Sequence, residues 1–354
     1  MDFSFHECSK ISCASNFRDS VDIVDSPVGG RGCVTRFGVS STESLGRENC
    51  VVSQISPFSA AKIPACHICF LHLLRFQDLV GHIVRTANDL ASLNSVPLGF
   101  TCNWCEFRLC LGCHLPENAR LHQFICHRGE VRRKELWEHI TNLGNRNTES
   151  IPMAIQFCCK LVFQAAELHL SPDDAFQTLY NSEGYFDSHQ SVPYSDNGFK
   201  TMRNLFYPIP TITEALFNQL ISTFDQTNLY IEVESFSMME DLELPIPHLE
   251  ALNRVYEEGS FSAIGPINPD DFPIPVVVGS AHYPTVARLN HSCDPNIDWR
   301  SVNGTNEIEI YALRDILQRE ELFISYIDQS LETSERQSLL QSLYGFTCRC
   351  SRCE

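Results

Sequence analysis

Hydrophobic residues recur along several stretches of the chain with the period of an amphipathic helix. Between residues 154 and 168, five small or apolar side chains follow at spacings of four, three, four and three, which predicts a helix with one buried face. A second helix is predicted after Pro210, and two more over Val131–Leu143 and Leu331–Leu343. The apolar faces of the first two helices comprise Ala154, Cys158, Leu161, Ala165, Leu168, Leu216, Leu220, Ile221 and Phe224.

Other stretches have the short apolar or alternating pattern of strands. Glu307–Leu313 has apolar side chains at every second position, and Leu322–Ile327 is a second compact strand. Asn49–Phe58 is a third strand, interrupted near its end by a proline. The polar stretch Asn181–Gly198 predicts a loop, and no internal repeat is present in the sequence. These patterns predict an α+β protein with a β-rich core and helical insertions.

The overall composition is typical of a soluble globular protein. The chain has 354 residues, of which 43% are hydrophobic and 20% charged, enough for two or three structural units. The net charge of −18 disfavours a nucleic-acid-binding surface and is compatible with a cationic partner such as a lysine-rich protein tail. A generally acidic surface without such a partner explains the charge equally well.

The 17 cysteines point to bound metal rather than to disulfide bonds. No apolar run approaches the ~20 residues of a membrane span, and residues 1–20 contain no apolar segment typical of a secretion signal. We therefore expect an intracellular protein of the nucleus or cytoplasm, where disulfide frameworks are rare.

Residues 66–127 form a cysteine-rich module with the ligand spacing of zinc fingers. Four pairs of ligands suit two tetrahedral zinc ions, and in an interleaved arrangement the first and third pairs hold one ion and the second and fourth the other. His127 is an alternative to Cys126, whereas His67, His82 and His114 are expected not to bind metal. The expected ligands are Cys66, Cys69, Cys102, Cys105, Cys110, Cys113, His122 and Cys126.

A third metal site is predicted at the end of the given sequence. Cys348, Cys350 and Cys353 supply three thiols, and Cys293 is the natural fourth ligand. Such a site would bring Tyr344 and Phe346 over the polar pair Asn290 and His291. The alternative is three unrelated thiols in a frayed tail. The remaining cysteines, Cys8, Cys13, Cys33, Cys50, Cys158 and Cys159, are expected to be ordinary thiols.

Two short segments carry candidate binding residues. An apolar run ending at Gly279 leads to Asn290 and His291, which need partners if they are buried, from the protein or from a ligand. The second segment, Ser26–Cys33, is a glycine-rich turn in which Arg31 could meet a carboxylate; a plain hairpin turn explains it equally well.

In their order along the chain, these parts resemble the SET-and-MYND (SMYD-type) protein lysine methyltransferases. The resemblance covers roughly residues 25–354 and is tightest over 279–353. It rests on the Gly30-Arg31-Gly32 turn, the early cysteine-rich finger, the Leu-Asn-His-Ser-Cys-Asp-Pro-Asn run from Leu289, the Ile-Ser-Tyr-Ile-Asp run from Ile324 and the terminal cysteines.

The resemblance implies a SET-domain β-rich pseudoknot fold that is split by a MYND-type zinc finger and a helical insertion and carries a post-SET zinc site. The implied division is an N-terminal segment 1–25 that we expect to be partly flexible, a first SET part 26–65, the finger 66–127, a helical linker and SET insertion 128–260, the SET core 261–340 and the post-SET tail 341–354.

The resemblance also implies that S-adenosylmethionine donates a methyl group to a lysine ε-amine of a histone or non-histone protein. Tyr326 would be the catalytic tyrosine and would also lie beside the cofactor, while Phe261 and Tyr344 would line the lysine channel. The finger would bind a protein partner, and we expect a monomer. The other cofactor-binding residues would be Gly30, Arg31, Gly32, Asn290, His291 and Phe346.

Some positions depart from the family pattern. Gly29 stands where a basic residue is common, Gly259 replaces an expected asparagine, and Arg319 replaces a glycine. The change at Gly259 favours a second hypothesis, a catalytically weak scaffold that acts through its finger in transcriptional regulation. A zinc-dependent hydrolase is disfavoured because every predicted metal site has four protein ligands and no open position.

Overall fold

A computed structural model describes residues 16–56, 59–60, 65–71, 73, 99–131, 134–135, 149–167, 169, 213–234 and 276–354. Its strands are β1 (Val21–Asp25), β2 (Arg31–Thr35), β3 (Ser44–Glu48), β4 (Val52–Ile55), β5 (Gly99–Thr101), β6 (Arg108–Cys110), β7 (Leu229–Glu234), β8 (Val276–His282), β9 (Asn290–His291), β10 (Ile297–Ser301), β11 (Ile308–Ala312) and β12 (Glu321–Ile324). The α-helices are α1 (Pro116–Ile125), α2 (Ser150–Glu167), α3 (Glu214–Thr227) and α4 (Thr333–Tyr344).

Small sheets build the core. One sheet has the order β1-β2-β12-β9, a second β10-β11-β3, and a third β4-β8-β7, while β5 and β6 form a separate hairpin. The pairing of β9 with β12 is parallel and the other pairings are antiparallel. Buried apolar residues of the three larger sheets pack into one cluster, which includes Leu45, Ile231, Val277, Ile310 and Leu322. This architecture matches the predicted α+β class.

Residues 16–25, the last part of the N-terminal segment expected to be partly flexible, belong to the folded core, and residues 1–15 lie outside the described residues. A 3₁₀ helix, Phe17–Ser20, runs directly into β1, and Phe17 and Val21 are fully buried in the core cluster. The hydroxyl of Ser20 donates to the carbonyl of Leu45. Burial contributes about 1.5–3 kcal/mol for each large apolar side chain and so anchors the segment to the core.

Three of the predicted helices lie among the described residues, and all three form. Helix α2 starts at Ser150, ahead of the apolar stripe, and Cys158 and Cys159 are buried in its core-facing side. Thr213 caps α3 by accepting a hydrogen bond from the backbone N–H of Leu216. Helix α4 starts with a capping box and ends at Gly345, whose φ of 76° is left-handed.

The two remaining element predictions fall mainly or wholly outside the described residues: the helix Val131–Leu143 and the loop Asn181–Gly198. The predicted strands near residues 49–58, 307–313 and 322–327 are present as the shorter β4, β11 and β12. Within the described part of the chain, no helix is long and apolar enough to cross a membrane.

Candidate functional site

The glycine-rich turn is the loop of the β1–β2 hairpin. The backbone N–H of Ser26 donates to the carbonyl of Gly30 at 2.9 Å, and Arg31 pairs with Asp25 as the strands begin. A Cβ atom added at Gly29 or Gly30 would meet nothing within 4 Å, so the backbone of this loop faces open space. The hairpin interpretation of the turn is therefore correct, and the same loop also borders the candidate binding residues.

Asn290 joins this hairpin to the first residue of β12. Its side-chain amide donates to the Arg31 carbonyl at 3.2 Å and to Oε1 of Glu321 at 2.9 Å. The same carboxylate oxygen accepts from the hydroxyl of Ser26 at 2.7 Å. Gly32 lies against Glu321 and Asn290. A Cβ added at Gly32 would lie 2.3 Å from the Glu321 carboxylate oxygen and 3.0 Å from the amide nitrogen of Asn290. Glu321 is thus the centre of this polar group, which the sequence patterns did not identify.

His291 lies on the opposite face of the same short strand and is buried. Its Nδ1 accepts a hydrogen bond from the backbone N–H of Tyr326 at 3.0 Å, and its Nε2 lies 3.3 Å from Sγ of Cys293. Burial lowers the pKa of this imidazole to about 4, so it is neutral at physiological pH. Both ring nitrogens therefore have partners inside the protein.

Tyr326 is held through its backbone and its hydroxyl. The hydroxyl donates to the carbonyl of Leu289 at 2.5 Å, and the hydroxyl of Tyr344 donates to the Tyr326 carbonyl at 3.4 Å. Burial raises the pKa of the Tyr326 hydroxyl well above its usual value. The tyrosine is therefore a neutral hydrogen-bond donor and cannot serve as a base near neutral pH.

Aromatic rings surround this tyrosine. The ring centroids of Tyr326 and Tyr344 lie 4.9 Å apart, and Phe346 meets the Tyr326 ring edge-on at 6.4 Å and 84°. The His291 ring lies 5.3 Å from that of Tyr326 and 6.0 Å from that of Phe346. The predicted approach of Tyr344 and Phe346 to this segment is therefore present. Phe261, the other predicted channel residue, and Gly259 lie outside the described residues.

The third cysteine group is assembled from two distant parts of the chain. The sulfur atoms of Cys293, Cys348, Cys350 and Cys353 all lie within 4.8 Å of one another, and Cys293 and Cys353 are 3.5 Å apart. Two thiolates on one tetrahedral zinc ion, with Zn–S of ~2.3 Å, are separated by about 3.8 Å. The donor set and its spacing therefore fit a closed tetrahedral site.

Two arginines support this group from outside. The buried Arg336 of α4 directs its guanidinium to Sγ of Cys353 at 3.8 Å, and Arg352 donates to the carbonyl of Cys293 at 2.8 Å. Four thiolates and one Zn²⁺ carry a net charge of −2, so nearby cations lower the electrostatic cost of assembling the site. Sequence patterns did not single out Arg336.

The finger ligands fall into two groups that correspond to the interleaved pairing. Cys66, Cys69, Cys110 and Cys113 form one group, and Cys102, Cys105, His122 and Cys126 form the other. The sulfur atoms of Cys69 and Cys110 are 3.7 Å apart, and His122 Nε2 is 3.3 Å from Cys105 Sγ. Both groups fit closed tetrahedral sites. Three other histidines are not part of either group: His67 and His127 each accept a backbone N–H through Nδ1, and His114 stacks on Phe100.

A buried carboxylate fixes the approach to Asn290. Glu48 accepts backbone N–H groups from Thr285 at 2.7 Å and from Val286 at 3.1 Å, at the start of the short 3₁₀ helix Val286–Arg288. Burial raises the pKa of Glu48, although these hydrogen bonds act in the opposite direction. Glu48 therefore links β3 to the segment that carries the candidate site.

An open cleft lies beside the segment that follows β12. It has a volume of about 290 Å³, and residues on either side of Tyr326 in the sequence form one wall. Two acidic side chains face it, and burial raises the pKa of one of them, Asp298. The cleft is lined by Pro295, Ile297, Asp298, Trp299, Ser325, Ile327, Asp328 and Gln329.

Comparisons with known proteins agree with this arrangement. The SET domain family model matches residues 270–327. The chain is 32% identical over 154 residues to the histone-lysine N-methyltransferase ATXR2 of Arabidopsis thaliana, covering 39% of this chain and 29% of that protein. It is 43% identical over 77 residues to the human histone-lysine N-methyltransferase SMYD3, covering 22% and 18%.

A third relative is the human N-lysine methyltransferase SMYD2, 43% identical over 76 residues that cover 22% of this chain and 17% of the relative. In each of these three comparisons the chain spans less than a third of the relative's length.

Proposed function

We propose that this chain, a SET-domain protein related to the SET-and-MYND lysine methyltransferases, is an S-adenosylmethionine-dependent protein-lysine N-methyltransferase. The SET domain match and the names of the relatives confirm the predicted resemblance. The observation that carries the activity is the convergence of Asn290, Tyr326 and Phe346 around one short parallel strand pair beside an open glycine loop.

The cofactor would be held by residues that surround this strand pair. Asn290 and Phe346 are partly exposed, and the backbone of the Gly30 turn faces open space, so amide, aromatic and backbone groups are accessible together. We assign the methionine end to Gly30, Arg31 and Gly32. The adenosine part is assigned to Asn290, the backbone of His291 and the ring of Phe346. Bound S-adenosylmethionine supplies an electrophilic methyl group on a positively charged sulfur.

The aromatic residues would prepare the lysine amine for attack. Lysine has a reference pKa of ~10.4 and must lose its proton before its nitrogen can attack. Burial between Tyr326, Tyr344 and Phe261 would disfavour the charged ammonium. Because Tyr326 stays neutral, its contribution is to fix the position of the reacting groups through a hydroxyl held by Leu289.

The open cleft is the proposed site for the protein segment that carries the lysine. Asp298 and Asp328 give it a negative character, and the chain as a whole has a net charge of −18. Both favour a basic peptide, for example a histone tail. Cleft residues Ser325 and Ile327 flank Tyr326 in the chain, so a peptide bound there would lie close to the tyrosine.

Zinc in the three ligand groups completes this proposal. The separations of the potential ligand atoms support one ion in each group. We assign the group at Cys293 to a post-SET site that fixes the C-terminal segment in a pseudoknot, and the other two to a MYND-type protein-interaction finger. The division of the chain at residues 66, 128, 261 and 341, a monomeric state and a location in the nucleus or cytoplasm belong to the same proposal.

A catalytically weak scaffold is the second candidate. Gly259 lacks the side-chain amide that the family pattern supplies, which removes a polar contact to the cofactor. On the finger, Trp104 is 61% exposed and Phe100 48% exposed, which favours contact with another protein. A scaffold of this kind would act in transcriptional regulation without methyl transfer.

Calorimetric titration of the folded, zinc-loaded chain with S-adenosylmethionine separates the two candidates. We expect saturable binding, followed by incorporation of labelled methyl groups into a lysine-rich histone-tail peptide. Absence of cofactor binding by a protein that holds its metal would refute the enzyme and leave the scaffold. Binding that is lost in Asn290→Ala, with metal content unchanged, would support the assigned pocket.

A further inference from the structure

We propose that His291 is a positioning residue that connects the metal site at Cys293 to the backbone of Tyr326. One ring nitrogen of His291 contacts a ligand of that site, and the other accepts the N–H of the tyrosine. This inference rests on the proposed zinc site and on the proposed role of Tyr326. It adds that one imidazole ring supports both a metal ligand and the backbone of the tyrosine.

The end of β12 explains why the tyrosine needs this support. The backbone pairing between β12 and β9 continues to the carbonyl of Ile324, which accepts the N–H of Ser292 at 3.0 Å. Beyond this bond the chain that follows β9 turns at Cys293 towards the other metal ligands. The N–H of Tyr326 therefore has no strand partner and is bonded to His291 Nδ1 at 3.0 Å. A backbone N–H that is removed from water needs an acceptor, so the imidazole stabilises the tyrosine where the strand pairing stops.

The two contacts together allow one tautomer of the imidazole. Nδ1 must be unprotonated because it accepts the Tyr326 N–H, so in the neutral ring the proton lies on Nε2. Nε2 lies 3.3 Å from the Cys293 sulfur, and a metal-bound thiolate can only accept a hydrogen bond. Hydrogen bonds of this kind orient metal ligands, and their loss typically lowers metal affinity by about 10–100-fold.

Two amide substitutions separate the two contacts. In His291→Asn the side-chain amide ends near the position of Nδ1, so it can still accept the Tyr326 N–H but does not reach the Cys293 sulfur. In His291→Gln the longer side chain reaches the position of Nε2 and can donate to the sulfur, but it lacks the acceptor at Nδ1. The pair therefore distinguishes the metal contact from the tyrosine contact at one position.

The experiment uses the full chain loaded with zinc. We expect ¹⁵N NMR of the wild type to show the Nε2-protonated tautomer at His291. His291→Asn should weaken zinc retention at one of three sites by about 10–100-fold in chelator competition. It should leave the amide hydrogen of Tyr326 as well protected from exchange with solvent as in the wild type, because the hydrogen bond is kept. His291→Gln should retain three zinc ions, lose that protection and lower methyl transfer.

Three results would overturn the inference. They are an Nδ1-protonated ring in the wild type, the same pattern of effects in both variants, and a wild-type chain that holds no zinc at Cys293. The tautomer, the zinc content and the exchange of the Tyr326 amide hydrogen are measured without methyl transfer. Failure of this inference can therefore be distinguished from failure of the proposed enzymatic function, and the wild-type measurement remains decisive if a variant does not fold.

Discussion

Replacing Gly32 by alanine should disrupt the candidate cofactor site without touching a catalytic side chain. The backbone at Gly32 is not left-handed, so alanine is not excluded by conformation. Its Cβ would however lie 2.3 Å from the carboxylate oxygen of Glu321 and 3.0 Å from the amide nitrogen of Asn290. The first distance is far shorter than any real contact of a methyl carbon. Glu321 must therefore move.

The size of the effect follows from what holds Glu321. Its Oε1 accepts hydrogen bonds from Ser26 at 2.7 Å and from Asn290 at 2.9 Å, and a bond to a charged group contributes about 1.5–3 kcal/mol. Overpacking by one methyl group costs about 1–3 kcal/mol. We expect a loss of this size in the free energy of unfolding. Displacement of Asn290 should lower affinity for S-adenosylmethionine by at least about tenfold, the equivalent of 1.4 kcal/mol.

Gly38→Ala is the matched control. A Cβ added at Gly38 would have its nearest neighbour, the carbonyl oxygen of Ile316, at 3.6 Å, which is ordinary van der Waals contact. Thermal unfolding and calorimetric titration with S-adenosylmethionine compare the two variants. If Gly32→Ala matches Gly38→Ala in stability and in affinity, the polar group around Glu321 does not support the cofactor site. Adding Glu321→Ala to Gly32→Ala should relieve part of the stability loss, because it removes the atom that clashes.

Three further changes test other parts of the site. Tyr326→Phe should lower methyl transfer on the order of 10²-fold while all metal is retained, because the hydroxyl bond to Leu289 that orients the ring is lost; unchanged turnover would contradict this role. Cys293→Ser should lower the zinc content from three ions to two, as measured by elemental analysis, and a content of three would exclude Cys293 as a ligand. Because burial raises the pKa of Glu48 in the folded state, that state binds the proton more tightly than the unfolded state does. The contribution of Glu48 to stability therefore falls as pH rises from about 4.3, its unfolded value, through the folded pKa. Denaturant titrations should show the free energy of unfolding of the wild type falling relative to Glu48→Gln over this interval, and a constant difference would refute the linkage.

The helices were predictable because their signal is local. The buried side of α2 repeats within a few residues of itself, and the Thr213 cap and the Gly345 stop are each set by one residue and its neighbours. The strands near the N terminus had no comparable signal. Strand β1 has five residues, and its place in the sheet depends on β2 and, through it, on β12, which lies about three hundred residues later.

The metal-ligand groups could also be predicted from the sequence because their signal is local. Two thiols that share one tetrahedral ion must be close in space, and a two-residue gap such as Cys66 to Cys69 satisfies this locally. For the third group, Cys293 was found only by asking what could complete a set of three terminal thiols. The contact of Arg336 with Cys353 could not be predicted from the sequence, since an arginine in an amphipathic helix is usually exposed to solvent.

The partners of Glu321 and His291, in contrast, could not be predicted from the local sequence. Glu321 resembles any other glutamate at the start of a strand, and its role depends on Ser26 and Asn290 approaching it from distant parts of the chain. The family resemblance implies that His291 contacts the cofactor, and this stays a prediction. Its ring faces Cys293 and the backbone of Tyr326, partners that only the folded chain brings within reach.

The geometry of β9 explains how adjacent residues obtain such different partners. Successive side chains of a strand point to opposite faces, so Asn290 faces the β1–β2 hairpin and His291 faces the opposite side, where Tyr326 lies. Cys293 follows where the strand has ended and reaches the terminal thiols. A slip of the β9–β12 register by one residue would exchange the two faces, directing the amide to the tyrosine and the imidazole to the hairpin. The parallel pairing with Phe323 and Ile324 covers both positions of the strand, so it fixes which side chain faces the hairpin and which faces Tyr326.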